Sequence, residues 1–224
     1  MSLFCLVHGS TQSAACWDLL VPELNARGHD VARPQLPTNQ PEASATRYAD
    51  VIAKAIPADR EDTIVVAHSA SGMFLPLVPD KRRVQRLVFL VAVIPQIGKS
   101  LLDQARSEKD MFNPEWVGKD PTKDEGLADE FLFHDCSPEL RKWAWSRMSL
   151  MLAREAMLQI CPLQAWPDVP CSYILCTEDR TIQAGWARRA AKERLGVEAI
   201  ELPGGHCPYV SRPKELAEVL VGLV

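Results

Sequence analysis

The chain has 224 residues, of which 47% are hydrophobic and 24% are charged, and its formal net charge at pH 7 is −4. This composition is typical of a globular domain with a large core. Because the net charge is negative and the Lys and Arg residues are scattered, the chain lacks the basic field that binding to phosphates requires. The sequence therefore argues against a nucleic acid as partner.

The first residues, MSLFCLV, have no basic segment or small-residue cleavage site of the kind that marks an export signal. The longest strongly apolar stretch, residues 87–94, is far shorter than the roughly 18 to 20 residues that a membrane-spanning helix needs. Seven cysteines form an odd number, without a Cys-x-x-Cys pair. We therefore expect a soluble, cytoplasmic protein with reduced thiols and no membrane contact.

Short β-branched runs alternate along the chain with longer amphipathic runs. This alternation is typical of an α/β fold, here with about six mostly parallel strands flanked by helices. In chain order it predicts a strand at 3–7, a helix at 14–27, strand 31–34, helix 44–56, strand 63–67, helix 71–79, strand 86–93, strand 172–177, helix 182–195, strand 198–202 and helix 213–223.

Residues 95–170 break this rhythm, because they form a connection much longer than usual with helical character of its own. We interpret them as a helical cap inserted into a core made of residues 1–94 and 171–224. The second half of the cap carries an apolar set that includes Met151 and Leu152, and most members of this set are expected to pack onto the core. Because a cap in this place covers the strand ends where open α/β sheets bind ligands, four of its residues are predicted to line a pocket: Trp116, Phe133, Trp143 and Met148.

A serine follows the third predicted strand in the stretch IVVAHSASGM at 64–73. A strand, a tight turn of small residues and a helix start form the layout of a nucleophile elbow, which exposes the serine hydroxyl. The pattern G-x-S-x-G is broken at both glycines, but Ala67 and Ser71 are small enough for the crowded turn. Ser69 is therefore the candidate nucleophile. Two alternatives stay open: Ser71, which would place the long Met73 at a crowded position, and a Ser69 that only caps a helix.

The first strand runs into the sequence HGSTQS at 8–13, where an acyl-transfer enzyme needs an amide for its oxyanion hole. We assign that amide to Ser10, with the amide of Ala70 as its partner. Gly9 allows close approach of the backbone, and His8 is expected to hold the loop by hydrogen bonds. Gly9 and Thr11 are also predicted to border the pocket.

An acid and a histidine follow the last two predicted strands, in TEDR at 177–180 and GGHCP at 204–208. Parallel strands bring these loops to the same edge of the sheet as Ser69, and the order Ser, Asp, His is that of α/β-hydrolases. His206 is the candidate general base and Asp179 its orienting acid. Sequence alone separates Asp179 only weakly from Glu178. Cys207 is predicted to border the pocket.

No cluster of His, Cys, Asp or Glu has the spacing of a zinc or iron site. The phosphate-binding patterns G-x-G-x-x-G and G-x-x-x-x-G-K-[ST] are also missing from the sequence. We therefore expect neither a metal nor a cofactor.

At these motifs the chain resembles a family of small α/β-hydrolases that includes plant hydroxynitrile lyases, methyl salicylate and methyl jasmonate esterases, and bacterial esterases. The resemblance spans nearly the whole length and is carried by LVHG at 6–9, ACW at 15–17, AHSASG at 67–72, TEDR and GGHCP. It implies a Ser-His-Asp triad of Ser69, His206 and Asp179. The cap is the least similar part, so the resemblance does not identify the substrate.

Two positions favour ester hydrolysis over cyanohydrin cleavage. The lyases of this family carry threonine after the first-loop histidine and lysine after the catalytic histidine, whereas this chain has Gly9 and Cys207. We predict a hydrolase of a small carboxylic ester or lactone, partly aromatic or alicyclic, and the sequence leaves a homodimer open. The rival functions are a lyase or C–C hydrolase on the same triad, and a non-catalytic ligand-binding protein on a hydrolase fold.

Overall fold

A computed structural model describes residues 1–149 and 154–224. In this part of the chain six strands form one parallel sheet of order β2-β1-β3-β4-β5-β6. The strands are β1 (Leu3–Val7), β2 (Asp30–Ala32), β3 (Thr63–His68), β4 (Arg86–Leu90), β5 (Cys171–Cys176) and β6 (Ile200–Leu202). The predicted α/β fold is thereby confirmed.

Successive side chains of the central strands β1, β3, β4 and β5 point toward two different hydrophobic cores, one on each face of the sheet. On β1, for example, Cys5 and Val7 belong to one core, whereas Phe4 and Leu6 belong to the other. Side chains alternate along a strand, so a sheet covered on both faces needs apolar residues at every position. This explains why the central strands are nearly continuous apolar runs, whereas the edge strands β2 and β6 each contain an exposed acidic residue.

Helices cover both faces of the sheet. The described helices are α1 (Leu20–Ala26), α2 (Ala45–Lys54), α3 (Leu101–Ser107), α4 (Glu125–Phe131), α5 (Pro138–Trp145), α6 (Arg154–Leu158), α7 (Ala184–Ala190), α8 (Pro208–Ser211) and α9 (Pro213–Val221). The buried residues of α1 and α9 pack in one core, and those of α2 and α7 pack in the other. Across the described ranges, none of these helices has the length and apolar character to span a membrane.

Two elements near the third and fourth strands differ from the predictions. The predicted helix at 71–79 is replaced by two short 3₁₀ turns, Ser69–Met73 and Leu75–Leu77. Pro76 lacks the N–H that would continue an α-helix, which explains the tighter turns. The predicted strand at 86–93 ends at Leu90, because Val91 has a φ of 46°, which takes the chain out of extended conformation.

Helices α3 to α6 lie in the long connection between β4 and β5. The division into a core at 1–94 and 171–224 and a cap at 95–170 stays a prediction. Met151 and Leu152 of the predicted cap lie outside the described residues. Two backbone hydrogen bonds join the connection to the loop after β5: the Asn113 N–H donates to the Thr181 carbonyl oxygen, and the Gln183 N–H donates to the Met111 carbonyl oxygen.

Candidate active site

Ser69 directly follows β3 with a φ of 56°, in the left-handed region where a residue other than glycine is strained. The conformation is held by its surroundings. Ala67 and Ser71, two residues away on either side, are fully buried, and the Val93 N–H donates to the Ser69 carbonyl oxygen at 3.0 Å. The turn therefore presents Ser69 at the carboxyl edge of the sheet.

The side chains of Ser69, His206 and Asp179 form one chain of hydrogen bonds. His206 Nε2 lies 3.0 Å from Ser69 Oγ, and His206 Nδ1 lies 3.0 Å from Asp179 Oδ2. The side chains of His206 and Asp179 are 3% and 1% exposed, so water hardly reaches their contact. Such an arrangement lets the imidazole accept the serine proton at Nε2 while the carboxylate holds the hydrogen on Nδ1.

The two neighbouring acids after β5 have different surroundings. Glu178 is exposed, and its Oε1 accepts a hydrogen bond from the Gly204 N–H at 3.2 Å. Asp179 is the one that contacts His206. The two serines of the turn also have different partners. The hydroxyl of Ser71 is buried and donates to the His8 carbonyl oxygen at 2.5 Å, whereas the hydroxyl of Ser69 contacts His206.

Thr181, which was not among the predicted site residues, also contacts the imidazole. Its Oγ1 lies 2.8 Å from His206 Nδ1 and 3.0 Å from Asp179 Oδ1. Its backbone N–H donates to the same carboxylate oxygen at 2.7 Å. A threonine two residues after an aspartate is the pattern of an Asx turn, which could have pointed to this contact.

His8 holds the loop after β1. Its Nε2 accepts the Leu36 N–H at 3.0 Å, so Nδ1 carries the hydrogen and donates it to the Gly9 carbonyl oxygen at 2.9 Å. Burial lowers the pKa of His8 to about 4, so the ring is neutral at pH 7. The adjacent Gly9 has no room for a side chain, since a Cβ there would lie 2.7 Å from His68 Nδ1.

His68 is a second buried histidine beside the site. Its Nε2 donates to the His206 carbonyl oxygen at 2.9 Å, and its ring lies 4.6 Å from that of His206. Burial, together with the nearby His206, holds the pKa of His68 well below its usual range. His68 is therefore a neutral donor that fixes the backbone of His206.

The segment at 134–135 between β4 and β5 also holds the loops of the acid and the base. Asp135 Oδ2 accepts the Gly205 N–H at 2.9 Å, next to His206. His134 Nε2 donates to the Glu178 carbonyl oxygen at 3.0 Å, next to Asp179. These contacts could not be predicted from the sequence, because no local pattern pairs residue 135 with residue 205.

A cavity of about 880 Å³ is bordered by Ser69 together with Ser10 and Ala70, the two residues assigned to the oxyanion hole. Its lining is mainly apolar and comes largely from the connection between β4 and β5, as in Leu101, Ala105, Phe112, Trp116, Val117 and Met157. Of the predicted pocket residues, Trp116 borders this cavity. A cavity of this size and polarity suits a small apolar ligand.

In the part of the chain that the structure describes, the other predicted pocket residues do not border that cavity. Phe133 is buried in the core beside α1 and α9, whereas Trp143 is half-buried with the Arg147 guanidinium 4.1 Å from its ring centre. Gly9 lies beside the nucleophile, since a Cβ there would be 3.1 Å from Ser69 Cβ. Thr11 and Cys207 are buried, and Met148 pairs with Gln12 in an isolated antiparallel bridge.

Cys207 is fully buried and accepts a hydrogen bond from the Tyr209 hydroxyl at 3.2 Å. Burial raises the pKa of its thiol well above the usual value, so it carries no charge. Within residues 1–149 and 154–224 no group of three or more His, Cys, Asp or Glu residues is arranged to hold a metal ion.

Comparison with known proteins places these features in a family. The model of the alpha/beta hydrolase family matches residues 6–219. A probable hydrolase R7 from a Phoma species is 28% identical, over 96% of this chain and 95% of the relative. Methylesterase 8 from Arabidopsis thaliana is 27% identical, over 98% of this chain and 88% of the relative.

Among solved structures, an extracellular α/β-hydrolase from a Paenibacillus species superposes with a TM-score of 0.82 at 24% identity, covering 99% of this chain and 98% of that one. This likeness shows the fold. The resemblance inferred from the sequence motifs is thus confirmed, and the chain belongs to the alpha/beta hydrolase family.

Proposed function

We propose that this chain is a serine hydrolase of carboxylic esters, with Ser69 as nucleophile, His206 as general base and acid, and Asp179 as the orienting carboxylate. The observation that carries the proposal is the chain of hydrogen bonds from Ser69 Oγ through His206 to Asp179, beside an apolar cavity. Membership of the hydrolase family and the name of the relative methylesterase 8 support it.

The geometry supports a two-step reaction. His206 Nε2 takes the Ser69 proton as Oγ attacks the acyl carbon, and the new C–O bond leaves a negative charge on the carbonyl oxygen. The backbone amides of Ser10 and Ala70 would hold that oxyanion. His206 then gives its proton to the alcohol, whose C–O bond breaks. In the second step His206 takes a proton from water, whose oxygen attacks the acyl carbon. The bond between that carbon and Ser69 Oγ then breaks, His206 returns the proton to Oγ, and the acid leaves.

The cavity lining supports a substrate with an apolar group, because burying such a group against apolar walls favours binding. In the lyases that the sequence resembles, a lysine stands where this chain has Cys207, and its positive charge serves to handle cyanide. The buried, uncharged thiol of Cys207 cannot supply such a charge. The structure therefore favours ester hydrolysis over cyanohydrin cleavage.

The serine assignment is tested with p-nitrophenyl acetate and a fluorophosphonate probe that labels activated serines. Ser69→Ala should abolish turnover and labelling with the fold retained, because the hydroxyl that attacks is gone. Ser71→Ala should retain labelling. Labelling that survives in Ser69→Ala and disappears in Ser71→Ala would assign the nucleophile to Ser71. A folded wild-type protein that neither labels nor turns over esters would favour a non-catalytic binding protein.

The predicted cytoplasmic location is part of this proposal. It is supported by the cysteines, all seven of which are free. The homodimer stays a prediction from the sequence.

A further inference from the structure

Thr181 lies where the acid and the base meet. It is 2% exposed, and its hydroxyl oxygen is within hydrogen-bond distance of both His206 Nδ1, at 2.8 Å, and Asp179 Oδ1, at 3.0 Å. Asp179 Oδ2 lies 3.0 Å from the same imidazole nitrogen. His206 Nδ1 therefore faces two oxygens, one of which belongs to a residue with no role in the mechanism above.

The protons in this cluster can be assigned from the chemistry of the groups. His206 must be free of hydrogen at Nε2 to accept the Ser69 proton, so the neutral ring carries its hydrogen on Nδ1. Asp179, as a carboxylate, can only accept. The Thr181 hydroxyl therefore donates to Asp179 Oδ1 and offers a lone pair to the Nδ1–H of His206. This arrangement leaves no group of the cluster without a partner.

Backbone contacts hold Thr181 from two sides. Its N–H donates to Asp179 Oδ1 at 2.7 Å, and its carbonyl oxygen accepts the Asn113 N–H at 2.8 Å. The next residue, Ile182, pairs with Phe112 in an isolated antiparallel bridge. The hydroxyl is thus held by the fold, and the connection between β4 and β5 contributes to its position.

We propose that the Thr181 hydroxyl is a positioning element of the active site. It fixes the rotation of the Asp179 carboxylate and accepts from Nδ1–H as the positive charge develops on His206. The inference rests on the proposed function, since it concerns the same imidazole. The Thr181 backbone N–H already holds the Asp179 carboxylate with any side chain at position 181, so the hydroxyl is not needed for a purely structural role.

The test separates the hydroxyl from the rest of the residue. Thr181→Val keeps the shape and the N–H but removes the hydroxyl, whereas Thr181→Ser keeps the hydroxyl and removes a methyl group. For p-nitrophenyl butyrate we expect kcat of the valine variant to fall about tenfold, the worth of one buried hydrogen bond to a charged group. KM should change little, because the Thr181 hydroxyl, although this residue borders the cavity, contacts Asp179 and His206 and most of the apolar lining comes from other residues. The serine variant should stay within about twofold of wild type.

A second measurement is the rate at which a fluorophosphonate labels Ser69, which reports activation of the nucleophile without ester turnover. It should fall in Thr181→Val by the same factor as kcat and be restored in Thr181→Ser. Thermal unfolding shows whether each variant is folded. If Thr181→Val does not fold, Thr181→Ala takes its place as the hydroxyl-free variant, with the same expected losses. Equal losses in the serine and hydroxyl-free variants, or no loss in either, would overturn the inference.

The two proposals fail differently. If wild type hydrolyses no ester but its labelling still depends on the Thr181 hydroxyl, the proposed function is wrong and the positioning role stands. If wild type hydrolyses esters through Ser69 and the hydroxyl-free variants keep full kcat and labelling, the function stands and the positioning role is wrong.

Discussion

The loops at the carboxyl edge of the sheet and the connection between β4 and β5 build the site in different ways. In the loops, polar groups are held within hydrogen-bond distance of one another by a strained turn and by buried histidines, as at Ser69, His206 and His68. The connection instead supplies apolar side chains that border a cavity, such as Trp116 and Phe112. We expect the first region to fix where chemistry occurs and the second to determine which molecules reach it.

The difference predicts two kinds of response to mutation. Polar contacts in a water-poor site depend on atomic positions, so a single atom changed in the loops should affect the rate strongly. An apolar wall acts through the area that it buries, so changes there should be smaller and should depend on the substrate. Contacts such as that from Asp135 to the Gly205 N–H link the two regions.

The largest effect is expected at Asp179. Asp179→Asn should lower kcat by roughly 10⁴-fold, because an amide in that place no longer favours the hydrogen on Nδ1. Glu178→Gln is the matched control, since the glutamine oxygen can still accept from the Gly204 N–H; it should keep kcat within about twofold. Steady-state kinetics with p-nitrophenyl acetate measures both. Equal losses in the two variants would contradict the division between these neighbours.

A smaller effect is expected at the turn of the nucleophile. In Gly72→Ala the new Cβ would overlap the Val93 carbonyl oxygen and lie 3.0 Å from Ala92 Cβ. Because backbone must move to make room, we expect the free energy of unfolding to fall by about 3 kcal/mol, measured by urea denaturation.

The control for that variant is Gly185→Ala in α7, where an added Cβ would meet no atom within 4 Å. Alanine is favoured over glycine in a helix, so this variant should be unchanged or slightly more stable. If both variants unfold at the same urea concentration as wild type, the turn is less tightly packed than the structure indicates.

The sequence indicated which strand-end residues would lie together, for a physical reason. Parallel strands deliver their carboxyl-terminal loops to one edge, so Ser69, Asp179 and His206 could be placed together without knowledge of side-chain geometry. The sequence could not separate Asp179 from Glu178, because that depends on which side chain is buried against the imidazole. The strained φ of Val91, which ends β4 early, has no local signal either.

Most of the pocket could not be predicted, because residues of an irregular connection have no repeating geometry that assigns them to a surface. Large apolar side chains such as Phe133 and Trp143 are equally suited to a core or to a pocket wall. The structure places Phe133 in a core and Trp143 against Arg147. Thr181 was missed because its contact with His206 depends on the fold of two separate loops.

The smallest effect, at Trp116, tests how the connection selects substrates. Trp116→Ala removes part of the apolar lining, so kcat/KM should fall about tenfold for p-nitrophenyl hexanoate, whose chain reaches further along the cavity. It should change little for the acetate ester. Trp143→Ala is the matched control and should leave the ratio between the two esters unchanged, since its ring contacts Arg147. If the ratio of kcat/KM between the two esters changes in Trp143→Ala and not in Trp116→Ala, the acyl chain binds beside Trp143, and the cavity beside Ser69 is not the binding site. If it moves only in Trp116→Ala, substrate choice depends on the connection while the rate of the chemical step depends on the loops.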